Sequence, residues 1–408
     1  MSSSPYLKQF KMLDQLLVRH SESWKPRPFC GHNAKLFDTV PQLKSALLSL
    51  SDEQLQNFTH DRSLLISWLK PYAPELATQL QAVISLEPPF HNTQPIHFNA
   101  FDATGIPGRK WQQITTFTQA IANKPACNAI DTVIDWCSGK GHFGMLLAKY
   151  SSHHVHCLEH DQALCEKGQT RSKNKALDLT FHCHDVLQPL PNHLANDKTH
   201  HTALHACGDL HISMLQQCTT HGAHKISLAP CCYDKITHPN YQPLSYAAQS
   251  SLLSLNRDDL HLATEEVVTG GQRILRLRQQ EQCWRLAFDA LQRQLQLSSE
   301  YLPLPSIPKS VLSGHFSEFC QWAASLKRIP ITSTVNHEAL LKVGDQRRKA
   351  VERLELIRKA FQRPLELWLI LDRVLFLQEQ GYECDLSLFC TKTVSPRNFL
   401  IQARLPQT

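Results

Sequence analysis

Residues 131–144, Asp-Thr-Val-Ile-Asp-Trp-Cys-Ser-Gly-Lys-Gly-His-Phe-Gly, constrain this chain more than any other stretch. The apolar, β-branched run predicts a strand at 132–135. Gly139, Gly141 and Gly144 then form a Gly-x-Gly-x-x-Gly turn leading into a helical pattern. Alone that pattern is weak. Between a strand and a helix it predicts a turn whose backbone a ligand can approach closely.

Strand-like runs at 155–159, 179–183, 202–207 and 225–229 alternate with stretches long enough for helices, as in a parallel sheet covered on both faces. Beyond residue 241 the pattern becomes helical. One amphipathic helix is expected through Trp284, Phe288, Leu291 and Leu295, and another through Val351, Leu354, Ile357 and Phe361, ended by Pro364. Residues 365–380 then read as a buried helix stopped by Gly381, and 382–389 and 398–404 as a hairpin around Pro396. The expected organisation is a helical region at 1–95, an α/β domain formed by 96–241 and 364–408, and a helical insertion at 242–363.

Asp135 closes the first strand four positions before Gly139. In a dinucleotide site the pyrophosphate sits on this turn, and an aspartate would repel it. S-adenosylmethionine carries no phosphate and has a sulfonium and an ammonium, so Asp135 favours it over the NAD of an oxidoreductase. Glu159 ends the second strand, placed to accept from both ribose hydroxyls. Asp185 follows the third, where it could accept from an adenine amino group or cap a helix. Cys137 and His142 in the turn, and Cys207 further on, complete the expected cofactor contacts with Gly139 and Gly141.

Cys207-Gly208-Asp209 and Pro230-Cys231-Cys232-Tyr233 fall at later strand ends, where open α/β sheets place their sites. Asp209, Cys231, Cys232 and Tyr233 are the candidates to touch a methyl acceptor, with His205 or His142 as a base. A cysteine behind proline could also be a covalent nucleophile, or the cysteines could be small residues packed behind the cofactor.

Fourteen cysteines contain no Cys-x-x-Cys pair, and the 23 histidines match no ligand spacing, so no metal is expected. The opening Met-Ser-Ser-Ser-Pro-Tyr-Leu-Lys lacks an apolar signal region, and no run approaches the ~20 apolar residues of a membrane span. Reduced thiols in a cytoplasmic protein are the expectation.

Taken together, Asp135-Trp-Cys-Ser-Gly-Lys-Gly-His142, Leu204-His-Ala-Cys-Gly-Asp-Leu210, Cys231-Cys-Tyr233, Leu371-Asp-Arg373, Leu377-Gln-Glu379 and Ser395-Pro-Arg-Asn398 resemble a family of class I methyltransferases. It includes the glutathione-S-transferase C-terminal domain-containing protein and the ribosomal-RNA-adenine-dimethylase-domain-containing and methyltransferase-like relatives. The resemblance implies S-adenosylmethionine as cofactor and a Rossmann-like sheet of seven strands ending in an antiparallel hairpin. More distantly the chain is similar to tRNA 2′-O-methyltransferases, without their zinc-finger cysteines.

The net charge is +6, and residues 309–363 alone carry eleven basic against five acidic side chains. Arg347, Arg348, Lys349, Arg353, Arg358, Lys359 and Arg363 are expected on the solvent side of a helix, a surface suited to phosphates. RNA is therefore the expected acceptor. A protein acceptor and a non-catalytic cofactor-binding module are the alternatives.

Overall fold

The computed structural model describes residues 4–92, 95–122, 130–151, 153–265, 272–295, 300–331 and 335–406. The chain divides into two compact units. One comprises residues 1–18, 86–265 and 363–408; the other comprises 19–85 and 266–362.

The first unit is built on a seven-stranded sheet of order β3-β2-β1-β4-β5-β7-β6. β1 (Thr132–Trp136), β2 (His154–Glu159), β3 (Leu179–Cys183), β4 (Thr199–Ala203) and β5 (Lys225–Leu228) are parallel. β7 (Phe399–Arg404) runs antiparallel to β5, and β6 (Glu383–Leu388) antiparallel to β7. β1 pairs with β2 on one side and β4 on the other, so the strand order reverses at β1. In open α/β sheets that reversal opens a crevice at the carboxyl ends of the strands. Ile114, Phe117, Ile121, Phe143, Leu146, Val155 and Leu400 belong to one buried core cluster of this unit.

β4 lies three residues before its expected start at 202. Its sequence, Thr-His-His-Thr-Ala, looks polar, yet every residue is buried. Sheet partners satisfy the imidazoles. His200 bonds Ser227 Oγ at 2.9 Å, and His201 accepts from Trp136 Nε1 at 2.9 Å. Without charge, such a histidine packs as an aromatic.

The domain boundaries also differ from expectation. The helix Pro5–Arg19 contributes to the first unit: Phe10 packs on Trp368 with ring centroids 5.1 Å apart, and Trp368 Nε1 donates to Asp14 at 2.9 Å. Residues 242–265, expected in the insertion, also belong here. The helix Gln362–Glu379 holds them through the buried Asp372, which accepts from Tyr241 Oη (2.5 Å), Leu244 N (3.0 Å), Ser245 N (2.8 Å) and Ser245 Oγ (2.7 Å). Pro364 lies inside the first turn of that helix, where its missing N–H costs little.

The second unit is helical. Trp284, Phe288, Phe316 and Phe319 form its aromatic core. The helices Gln272–Gln294 and His337–Ala360 cross closely at Gly344, where a Cβ would meet the Cys283 carbonyl at 2.5 Å. The basic residues of His337–Ala360 are not a free solvent face. Arg347 bonds the buried Asp289 at 2.7 Å and the Leu286 carbonyl at 3.2 Å. Arg348 clamps Asp345 and Glu352, and Lys349 pairs with Asp345 at 3.0 Å. Arg353, itself buried, donates to the Leu50 carbonyl and Asp52. In the first unit Arg363 is buried between Glu366 and Glu87. The expected phosphate-binding stripe is therefore largely a set of internal ion pairs.

Candidate active site

β1 ends in Trp136, and Cys137 begins the turn with φ 55°, a left-handed conformation costly for a residue with a Cβ. Burial, reinforced by the neighbouring carboxylates of Asp135 and Glu159, pushes the Cys137 thiol up to about 12. Asp135 is only 2% exposed. Its carboxylate lies against the Gly144 amide and the Cys157 thiol, under the turn rather than above it. Burial holds the Asp135 carboxyl well above the usual carboxylate range. Through the Gly144 amide, Asp135 ties the turn to the following helix, His142–Tyr150.

Glu159 sits at the end of β2 with its side chain 13% exposed. Oε2 accepts from the Gly139 amide at 2.8 Å, and Oε1 from the His160 and Asp161 amides at 3.0 and 3.1 Å. A carboxylate has about four acceptor positions, so one remains for a hydroxyl. Above Gly139, φ 59°, a Cβ would meet nothing within 4 Å. Gly141, φ 71°, differs: a Cβ there would strike the Phe181 ring. Gly139 thus borders open space, while Gly141 is required by packing. Asp185 is exposed beyond β3 and accepts from the Leu187 amide at 3.0 Å.

His142 opens the helix His142–Tyr150, its ring 3.2 Å from the Arg171 guanidinium. Burial, then the positive charges of Arg171, Lys110, Lys140 and Lys175, push its pKa down to about 4. It is neutral at pH 7. His205 is exposed, bonded to Gln113 Oε1 at 3.1 Å.

The two later segments meet. Cys207 and Cys231 pair as a parallel bridge, and their sulfurs are 3.1 Å apart. Cys232, φ 34°, brings a third sulfur into the group. Hydrogen bonds shared with Cys207 and Cys231 hold the Cys232 thiol far below the usual thiol range, while its two neighbours rise. Asp209 starts the helix Asp209–Thr220 and accepts from the Thr237 amide at 2.6 Å. Tyr233, expected to face an acceptor, is 1% exposed and turned into the core. The Arg373 guanidinium lies 5.0 Å from its ring centroid, and Arg373 Nε donates to His211 Nε2 at 2.8 Å.

The geometry brings Cys137, Gly139, His142 and Glu159 together around the glycine turn, and Cys207, Cys231 and Cys232 into a second cluster. The sequence reading missed the cations among these loops. Lys110 and Lys140 are exposed and act on His142; Lys235 and Arg397 act on Cys232. Scattered along the chain, they form no charge run that could have marked them. The residues fit S-adenosylmethionine: an open glycine turn, an acidic acceptor at the end of β2 and an exposed acid after β3.

Residues 109–239 match the family model of a methyltransferase domain. The antiparallel β7, inserted between β5 and β6, separates this sheet from an all-parallel dinucleotide fold. Fold and match define the class: the first unit carries a class I S-adenosylmethionine-dependent methyltransferase domain.

Its relatives include the glutathione S-transferase C-terminal domain-containing protein of Xenopus laevis, 31% identical over 31% of this chain and 19% of that protein. The Drosophila melanogaster homologue is 30% identical over 38% of this chain and 26% of its own length. The chain thus matches about a fifth to a quarter of these curated relatives. Among solved structures, a Pyrococcus abyssi tRNA (uracil-54, C5)-methyltransferase in complex with S-adenosyl-L-homocysteine aligns with 29% of this chain and 28% of its own, at 16% identity and TM-score 0.24. Among the described residues no helix is long and apolar enough to cross a membrane.

Proposed function

We propose that this chain transfers a methyl group from S-adenosylmethionine to RNA, in the cytoplasm. The cofactor supplies an electrophilic methyl on a sulfonium. The protein's task is to hold it at the Gly139 turn and present a nucleophile in line. Glu159, with one acceptor position left, is assigned to one ribose hydroxyl and Asp185 to the adenine amino group. Cys137, Gly141, His142 and Cys207 shape the turn side of the pocket, and Asp135 braces it from below. Asp209 and Cys232 are assigned to the acceptor side; Cys231 and Tyr233 support them from the core. A neutral His142 is available to take a proton.

One observation carries the choice of acceptor: the Arg171 guanidinium lies 3.2 Å from the His142 ring at the glycine turn, and Lys110, Lys140 and Lys175 add to the effect of burial on the same ring. Cations gathered beside a reaction site favour an anionic acceptor, and RNA offers one phosphate per nucleotide. Incubating the full chain with methyl-labelled cofactor and total RNA should give label released by ribonuclease. Replacing Lys110 and Lys140 with glutamine should flatten the salt dependence of RNA binding by roughly 0.7–1 unit per contact. Label that enters only protein, and resists ribonuclease, would favour the protein-acceptor reading.

A further inference from the structure

Three cysteines that lie apart in the sequence converge where β4 and β5 end. The sulfurs of Cys207, Cys231 and Cys232 all lie within 4.8 Å of one another. Among the described residues this is the one group of three or more histidine, cysteine or acidic side chains spaced to hold an ion. No carboxylate or imidazole takes part, so the donor set is soft.

The backbone fixes the group from both sides. Cys207 and Cys231 are held by their parallel bridge. Gly208, φ 54°, lets the chain pass so close to Lys235 that any Cβ would overlap the Lys235 carbonyl. That carbonyl accepts from the Asp209 amide at 3.0 Å, and Lys235 N donates to the Cys232 carbonyl at 3.2 Å. Cys232 keeps its left-handed φ of 34° although it has a Cβ. Packing of small residues behind a cofactor would not need a costly conformation that turns a third sulfur toward the other two.

Two thiolates on one tetrahedral zinc, each bonded at about 2.3 Å, stand about 3.8 Å apart. The Cys207–Cys231 sulfur separation is 3.1 Å and none of the three exceeds 4.8 Å, so the group lies within about 1 Å of that geometry. Cys231 is buried, while Cys207 and Cys232 are half-exposed, which leaves an entry path. Lys235 and Arg397 lie close enough to offset the net negative charge that three thiolates leave on a divalent ion.

We propose that Cys207, Cys231 and Cys232 form a three-thiolate site for one zinc ion, with the fourth coordination position open. Three protein ligands and an open position are the pattern of reactive rather than purely structural zinc. The site stands on the sulfur geometry and does not depend on the methyl-transfer reading.

The test uses the full-length chain, reduced and freed of metal under argon, with cobalt(II) as the spectroscopic probe and zinc as competitor. One equivalent of cobalt should produce thiolate-to-metal absorption, and one equivalent of zinc should remove it. Cys231→Ser and Cys232→Ser should each lose that absorption while keeping the parent circular dichroism. Cys232→His, which restores a ligand, should regain binding with an altered spectrum. Cys183→Ser, at an exposed thiol on β3, should match the parent. Two results would overturn the proposal: no absorption from fully reduced parent protein at saturating cobalt, or stoichiometric binding that survives the Cys231→Ser/Cys232→Ser pair. Calorimetry with S-adenosylhomocysteine on the same metal-free sample keeps a failure here separate from a failure of the cofactor site.

Discussion

The Phe181 ring occupies the place a side chain on Gly141 would take. β3 therefore reaches across β2 to set the residue type in the turn after β1. Gly141→Ala should destabilise the first unit by about 1–3 kcal/mol from overpacking, with a further ~1–2 kcal/mol from the left-handed backbone. Phe181→Ala in the same chain should remove the packing part only, so in that background Gly141→Ala should cost just the ~1–2 kcal/mol of the left-handed backbone, less than in the parent. A Gly141→Ala protein that melts like the parent would show that the ring moves freely aside.

The Leu371-Asp-Arg373 resemblance acquires a physical reason in Asp372, which gathers four hydrogen bonds from the loop after β5. Asp372→Asn keeps the shape but turns one acceptor into a donor facing N–H and O–H groups. Each bond to a charged group is worth about 1.5–3 kcal/mol, so a loss of roughly 3 kcal/mol or more is expected by denaturant titration. Glu383→Gln, on an exposed pair with Arg404, should change stability by less than about 1 kcal/mol.

Acid should loosen the fold earlier than the carboxylates alone would cause. Burial pushes His201 down to about 3, and burial with nearby cations pushes His142 down to about 4; His200 and His211 are lowered as well. Each has its ordinary value near 6.5 when unfolded, so between pH 6.5 and about 4 the unfolded chain binds more protons. Stability from these groups is fully present above pH 6.5 and falls as pH drops through that window. Each contributes a slope of up to about 1.4 kcal/mol per pH unit. Urea titrations at pH 7, 6 and 5 should show this decline, and His201→Gln should reduce its slope.

The basic helix of the second unit gives a contrasting expectation. Arg347→Gln leaves the buried Asp289 with one partner fewer, so it should lower the melting temperature of that unit. RNA affinity and its salt slope should stay at the parent values. A parent-like melt with a flattened slope would restore that helix as an RNA surface.

The sheet was legible because its strands are short apolar runs between breakers, and because the glycine turn has a fixed place after β1. β4 was displaced by three residues, since Thr199, His200, His201 and Thr202 look polar until Ser227, Trp136 and Ile134 are seen to satisfy them. Asp135 and Glu159 both stood out by position alone. Sequence could not separate their environments: one is buried under the turn, the other accepts from the Gly139 amide with capacity to spare. Nor could it show that Arg347, Arg353 and Arg363 meet acids distant in the chain, or that Cys207 meets Cys231. Those contacts depend on tertiary pairing, which leaves no local period to read.

The central claim is that Glu159 and the Gly139 turn hold the cofactor. Isothermal calorimetry of S-adenosylhomocysteine against the parent and Glu159→Ala tests it most directly, with circular dichroism showing that both are folded. The parent should bind one equivalent. Glu159→Ala should bind on the order of 10- to 100-fold more weakly, as expected for losing hydrogen bonds to a charged acceptor. Equal affinity in the two folded proteins, or no binding by the parent, would contradict the account.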